Sequence, residues 1–148
     1  MTINPLEQLK NAILNYDEEA AKEAASLIIK KDVDVFKAIQ QVLSPALREI
    51  GDKFERSEIF LPHLMMAAAA ADGAIKILEP KLNPKQRELT HKGTIVLGTV
   101  HGDIHNIGKN IVGMMLKAAG FKVVDLGVDI STTEFIKQAQ KEKADIIA

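Results

Sequence analysis

The chain has 148 residues, 47% of them hydrophobic, and a formal net charge of −1. That is room for one ordinary domain or two small ones, with no bulk attraction to nucleic acid or to an anionic membrane. It contains no cysteine and no tryptophan, which excludes disulfides, thiolate zinc sites, iron–sulfur clusters and cysteine nucleophiles, and makes base-stacking platforms a poor fit.

Met1-Thr2-Ile3-Asn4-Pro5 has no basic start backed by an apolar stretch, and no apolar run is long enough to span a bilayer. A cytoplasmic protein without membrane contact is expected. Up to about Leu78 every segment predicts helix. Asn4-Pro5 is a cap followed by a first-turn proline, with Leu6, Leu9, Ile13 and Leu14 behind it. Asp17-Glu18-Glu19 opens a second helix through Ala20, Ala24, Leu27 and Ile28, ending on Lys30-Lys31 as the macrodipole prefers. Phe36, Ile39, Leu43, Leu47, Ile50 and Phe54 alternate three- and four-residue steps and predict a third helix. Pro45 lies inside it and is expected to kink it, with the loss of one backbone hydrogen bond. Pro62 opens a fourth helix through Met65, Ala68, Ile75 and Leu78. Four amphipathic helices with short connections predict an antiparallel bundle.

Pro80 to Lys92, with Lys81-Leu82-Asn83-Pro84-Lys85-Gln86-Arg87 inside it, reads as a polar linker and a hinge. Beyond it the order becomes β-α-β-α-β. Thr94–Val100 is an apolar run suited to a buried parallel strand, Ile107–Ala119 a helix, and Lys122–Gly127 a second strand. Ser131-Thr132-Thr133-Glu134 is a capping box opening a helix with Phe135, Ile136 and Ala139, and Asp145-Ile146-Ile147-Ala148 begins a third strand. Parallel strands joined by helices build a doubly wound sheet, which usually has about five strands. The expected fold is α followed by α/β. Residues 1–88 form a four-helix bundle cap, and residues 89–148 an incomplete flavodoxin- or Rossmann-like parallel sheet, truncated after its third strand.

Asp103-Ile104-His105-Asn106-Ile107-Gly108 lies between the first strand and its helix, at the carboxyl end where open α/β sheets bind ligands. Asp103, two residues before His105, can accept a hydrogen bond from one ring nitrogen. That fixes the tautomer and leaves the other nitrogen free to coordinate a metal. Gly108 leaves room for something bulky to pass the helix start. The plainer alternative is a histidine that only caps or hydrogen-bonds its own loop.

The surrounding chain resembles the corrinoid proteins of methanogen and acetogen methyltransferase systems, methyl carriers related to the cobalamin-binding module of methionine synthase. Gly51-Asp52-Lys53-Phe54-Glu55-Arg56-Ser57-Glu58-Ile59-Phe60-Leu61-Pro62 looks like that family's helical cap. Gly98-Thr99-Val100-His101-Gly102-Asp103-Ile104-His105-Asn106-Ile107-Gly108-Lys109-Asn110 is similar to its cobalamin loop almost position by position, and Asp125-Leu126-Gly127 to its second-strand ending. The methylamine and betaine branch looks closest. Asn106 departs from the acidic residue usual there, and His101 occupies a variable position. The family's Ser-x-Leu loop and Gly-Gly turn would lie beyond Ala148.

The resemblance implies cobalamin, a cobalt corrinoid, as cofactor, with its own base withdrawn from the cobalt. His105 becomes the lower axial metal ligand, supported by Asp103, with Gly102, Ile104, Asn106, Ile107 and Gly108 around the corrin. Phe60 matches a cap position over the methyl face, although read as a residue it fits the core as well as Phe36 and Phe54 do. The implied role is a methyl carrier, not a complete enzyme. Its partners would be a substrate-specific corrinoid methyltransferase, a second methyltransferase acting on coenzyme M or tetrahydrofolate, and a reductive activation protein.

Met65 and Met66 suit either the corrin edge or the core, with the core the commoner place for a helical methionine. Ala67 to Ala71 suits close approach of a neighbouring helix, Asp72 suits solvent, and His63, His91 and His101 are expected to be exposed. Three other readings compete. A hydrolase with Asp103 and His105 as metal ligands lacks a third ligand nearby in sequence. A cobalamin-dependent sensor would need a DNA-binding segment, and no basic recognition helix is present. A flavodoxin-like nucleotide binder would meet Asp103 where a phosphate wants donors.

Overall fold

A computed structural model describes residues 4–148. The reading of Met1-Thr2-Ile3 as a leader-free start lies outside the described residues. The chain divides into two compact units, Met1–Thr90 and His91–Ala148.

The first unit is helical. α1 (Pro5–Leu14) starts at Asn4, whose side chain accepts the Leu6 N–H, with Pro5 in the first turn where its missing donor costs nothing. α2 (Glu18–Lys30) is capped by Asp17, whose carboxylate accepts the Ala20 N–H. A third helical run begins as α3 (Val35–Lys37), widens into a π-helical segment (Ala38–Leu43) and continues as α4 (Ser44–Glu55). This π segment immediately precedes Pro45, the position at which the sequence predicts a kink. Ser44 N–H reaches back five residues to Ile39 O, so Pro45 sits at the start of α4, where it has no bond to lose.

α5 (Leu61–Leu78) packs against α2, α4 and α1. Leu9, Ile13, Ile28, Leu43 and Leu78 are all but fully buried, with Ala70, Ala71 and Ala74 letting the helices approach closely. The stretch Leu61–Lys81 is long and apolar enough to cross a membrane by length and composition, which corrects the expectation that no such run exists. Leu64, Ala67, Ala68, Gly73 and Leu78 on it are buried, so in this unit it serves as the central core helix.

The expected linker is also corrected. A 3₁₀ turn (Glu79–Lys81) leads to α6 (Pro84–Leu89), where Asn83 and Gln86 form a reciprocal capping box. Leu82 is buried in the helical core and Gln40 donates to Leu89 O. This stretch is therefore part of the helical unit.

The second unit is a three-stranded parallel sheet in the order β2-β1-β3. β1 (Thr94–Leu97) is central, pairing with β2 (Lys122–Asp125) on one side and β3 (Ile146–Ile147) on the other. The first two strands are shorter than expected. Val100 lies outside β1 and makes a single parallel bridge to Ile130, and at Gly98 a side chain would collide with Phe135. α7 (Ile107–Ala118) packs on β2, and α8 (Thr132–Glu142) on β1 and β3. Gly113 of α7 lies so near Leu97 that a Cβ there would be 3.0 Å from the leucine's side chain. Ser131 caps α8 by accepting the Glu134 N–H. The Glu134 carboxylate turns to Gln138.

Candidate functional site

Residues 98–106, between β1 and α7, form a loop tied down from several sides. Thr99 N–H donates to Gly127 O at 2.9 Å, and Ile130 N–H to Thr99 O at 2.9 Å. The Thr99 hydroxyl spans the loop and donates to His105 O at 2.7 Å. Gly102 holds φ at +84°, a conformation that strains any side chain.

The Asp103 carboxylate folds onto His105. One of its oxygens lies 2.6 Å from ring Nδ1 and accepts the His105 backbone N–H at 2.9 Å. That N–H, and then the ring contact, hold the Asp103 carboxyl below its usual range, so it is ionised near neutrality. An ionised acceptor keeps the proton on Nδ1 and leaves Nε2 as the free lone pair. The His105 side chain is 93% exposed, and Nε2 has no protein partner among the described residues.

Ile104 and Ile107 are 77% and 76% exposed, an unusual display of branched apolar surface around one imidazole. Asn106 is the N-cap residue of α7 yet makes no side-chain bond to the helix. Beside Gly108 the space is open, and a Cβ would meet nothing within 4 Å. Gly102, Asp103, Ile104, His105 and Asn106 of the loop thus lie next to Ile107 and Gly108 in the first turn of α7.

Phe60 belongs to the helical unit and is 71% exposed, which corrects its reading as core. Met65 and Met66 are likewise exposed and are not core fillers. His101 is exposed, as expected, and pairs with Asp129 at 2.9 Å. His63 is only half exposed, because its Nδ1 caps α5 by accepting the Phe60 N–H at 3.2 Å and its ring lies against Tyr16. His91 and Asp72 are also half-buried, against expectation.

Three participants escaped the sequence reading. Thr99 closes the loop on His105 O. Asp129 bonds the loop from the β2–α8 connection. Lys109 reaches both oxygens of Asp125 at 2.6 Å. Only the last had a sequence signal, a lysine in the first turn of a helix where the macrodipole disfavours a cation and a carboxylate partner is therefore needed.

Among the described residues no cluster of three or more His, Cys, Asp or Glu side chains is able to hold a metal ion. A metal at His105 must bring most of its own ligands, as the cobalt of a corrin does, and an imidazole with a carboxylate behind it suits such an ion. The donor set and the open side of Gly108 fit that group.

A helical unit followed by an open parallel sheet, with the Asp103–His105 pair at the carboxyl end of its central strand, defines a ligand-binding α/β protein. Two family models, each described as a B12 binding domain, match residues 5–79 and 93–148. The chain belongs to the B12-binding corrinoid proteins, and its cofactor is cobalamin.

It is 40% identical over 139 residues to trimethylamine corrinoid protein 2 of Methanosarcina acetivorans, covering 94% of this chain and 64% of that protein. It is 43% identical over 148 residues to a corrinoid protein of Desulfitobacterium hafniense, covering 99% of this chain and 68% of that one. A chain of the methanol:cobalamin methyltransferase complex of Methanosarcina barkeri superimposes with a TM-score of 0.84 at 31% identity, over 99% of this chain and 56% of that chain. The monomethylamine corrinoid protein of the same organism gives 0.54 at 34%, over 94% and 65%. The chain spans just under two thirds of the length of the trimethylamine relative.

Proposed function

We propose that this chain is the cofactor-holding part of a cytoplasmic methyl-carrying corrinoid protein. It receives a methyl group from a substrate-specific methyltransferase and yields it to a second methyltransferase acting on coenzyme M or tetrahydrofolate. A reductive activation protein restores it. The reading rests on the Asp103–His105 contact of 2.6 Å on a loop whose imidazole is otherwise open to solvent. The trimethylamine and monomethylamine corrinoid relatives and the methanol:cobalamin methyltransferase complex support it.

When bound, cobalamin supplies a cobalt centre able to take up and release a methyl group. His105 holds that centre through Nε2. Asp103 keeps the proton at Nδ1 and fixes the orientation of the ring. Gly108 leaves passage at the start of α7, while Gly102, Ile104, Asn106 and Ile107 form the surface around the imidazole. Phe60 is exposed on the helical unit.

The test is the visible spectrum of aquocobalamin added to the protein. His105→Ala shifts it and weakens binding, Asp103→Asn lies between, with a loss of about 10–100-fold in affinity, and His101→Ala changes neither. Identical spectra for wild type and His105→Ala overturn the reading.

A further inference from the structure

We infer that Asp129 is a positioning residue that holds the Asp103–His105 pair in place, an inference that rests on His105 being the cobalt ligand. Asp129 and the loop exchange two hydrogen bonds. Its Oδ1 accepts the Gly102 N–H at 2.8 Å, and its own N–H donates to Asp103 O at 3.0 Å. The peptide groups on either side of the Gly102–Asp103 link are thereby both anchored to one residue. The next residue extends the anchorage, since Ile130 bridges Val100 and donates to Thr99 O. Asp103 is free to turn its carboxylate to His105 because its backbone is held elsewhere.

The backbone of Asp129 supports the same role. Its φ is +56°, in the left-handed region. Of the five described non-glycine residues with positive φ, the other four (Tyr16, Asp32, Ser57 and Lys143) lie just past the ends of α1, α2, α4 and α8. A left-handed residue is an ordinary way to end a helix. Asp129 ends no helix. Aspartate tolerates that region better than most side chains, and here its N–H and its carboxylate are both bound to the loop, which holds it there. Its side chain is 53% exposed, so it is not a core residue whose loss would unfold the unit. His101 touches the same Oδ1 from outside at 2.9 Å.

Three substitutions separate the contributions. Asp129→Gly keeps the backbone conformation and removes the acceptor, Asp129→Asn keeps the acceptor and the tolerance for positive φ but removes the charge, and Asp129→Ala removes the acceptor and strains the backbone. In the cofactor-free full chain, amide exchange at Gly102 is expected to quicken about tenfold or more in Asp129→Gly, while the β1 amides stay protected. Aquocobalamin affinity is expected to fall about tenfold, at the lower end for loss of an outer partner of a metal ligand. With nitrogen-15-labelled histidine in the protein and cob(II)alamin as the probe, the electron-spin signal is expected to lose its nitrogen-15 splitting in part of the bound population. Asp129→Asn should recover most of each effect, and His101→Ala should match wild type.

Exchange at Gly102 unchanged in Asp129→Gly overturns the inference outright. Faster exchange with wild-type affinity and full histidine ligation reduces Asp129 to a loop-folding residue and also overturns it. Loss of the axial reading shows differently, as a His105→Ala protein whose nitrogen-15 splitting and visible spectrum equal those of wild type.

Discussion

Lys109 shows how a single residue can be costly by itself and stabilising in context. It lies in the first turn of α7, against the macrodipole, and its side chain is only 8% exposed. Its ammonium is saturated by both Asp125 oxygens at 2.6 Å and by Asn110 Oδ1 at 2.8 Å. Partial burial pushes the Asp125 carboxyl up, but Lys109 and then the Gly127 N–H outweigh that and hold it below its ordinary range. A carboxyl depressed in the folded state stabilises fully above its unfolded pKa of about 3.9, and loses that contribution as pH falls through the lower folded value. Urea unfolding at about pH 7 and about pH 3 should therefore show wild type losing more stability between the two than Asp125→Asn does. Lys109→Met should cost about 1–2 kcal/mol at neutral pH, because Asp125 loses its cation while remaining partly solvated. Parallel pH dependences for wild type and Asp125→Asn would show that the pair contributes nothing.

Among the elements, the π segment and α5 make opposite predictions about exposed and buried change. Because Ala38–Leu43 already bonds in the wider pattern, Pro45 costs no further hydrogen bond. Pro45→Ala should then change stability by less than about 1 kcal/mol, against the roughly 3 kcal/mol expected of a proline that breaks a regular helix. A gain near the larger figure in urea melts would mean the helix was under strain. On α5, Ala70 is fully buried between helices, so Ala70→Leu should overpack the bundle and cost at least about 1–3 kcal/mol. Phe60 is exposed at the entry to the same helix, with the His63 ring beside its own, and Phe60→Ala should move a thermal melt by no more than the equivalent of about 0.5 kcal/mol. If Phe60 shields the bound methyl group, the same substitution quickens its photolytic loss. An unmoved photolysis rate would leave Phe60 without a role.

For the whole molecule, burial is unevenly divided. The helical unit has a contiguous core running from Leu9 to Leu82. The buried apolar residues of the α/β unit are Ile95, Val96, Leu97, Ala118 and Phe135, and the β3 residues Ile146 and Ile147 are 47% and 53% exposed. A core of that size falls short of the conformational entropy of ordering the segment. A fragment of residues 1–90 should show a cooperative thermal transition by circular dichroism, and a fragment of residues 91–148 should not. Two separate cooperative transitions from the two fragments would contradict this division.

The local rules were legible in the residues themselves. Asn4-Pro5, Asp17 and Ser131 are caps by chemistry, the alternation from Phe36 to Phe54 makes a helix by periodicity, and the Asp103-x-His105 spacing allows only a short reach between carboxylate and ring. Each depends on contacts a few residues apart, which sequence order already determines. Where several local structures satisfied the same pattern, tertiary packing chose among them. Burial of Leu82 turned an apparent linker into part of the bundle, and a π segment stands before Pro45 where a regular helix was expected. Exposure divided residues that look alike, leaving Phe60, Met65 and Met66 outside while Leu64 and Leu78 went in. The partners of the candidate loop needed the sheet. Asp129 meets it because β1 and β2 lie side by side, bringing Gly102 to a residue 27 positions away and Thr99 to Ile130, further still along the chain. No spacing rule reaches that far, since pairing of that kind is set by which faces the whole unit must bury.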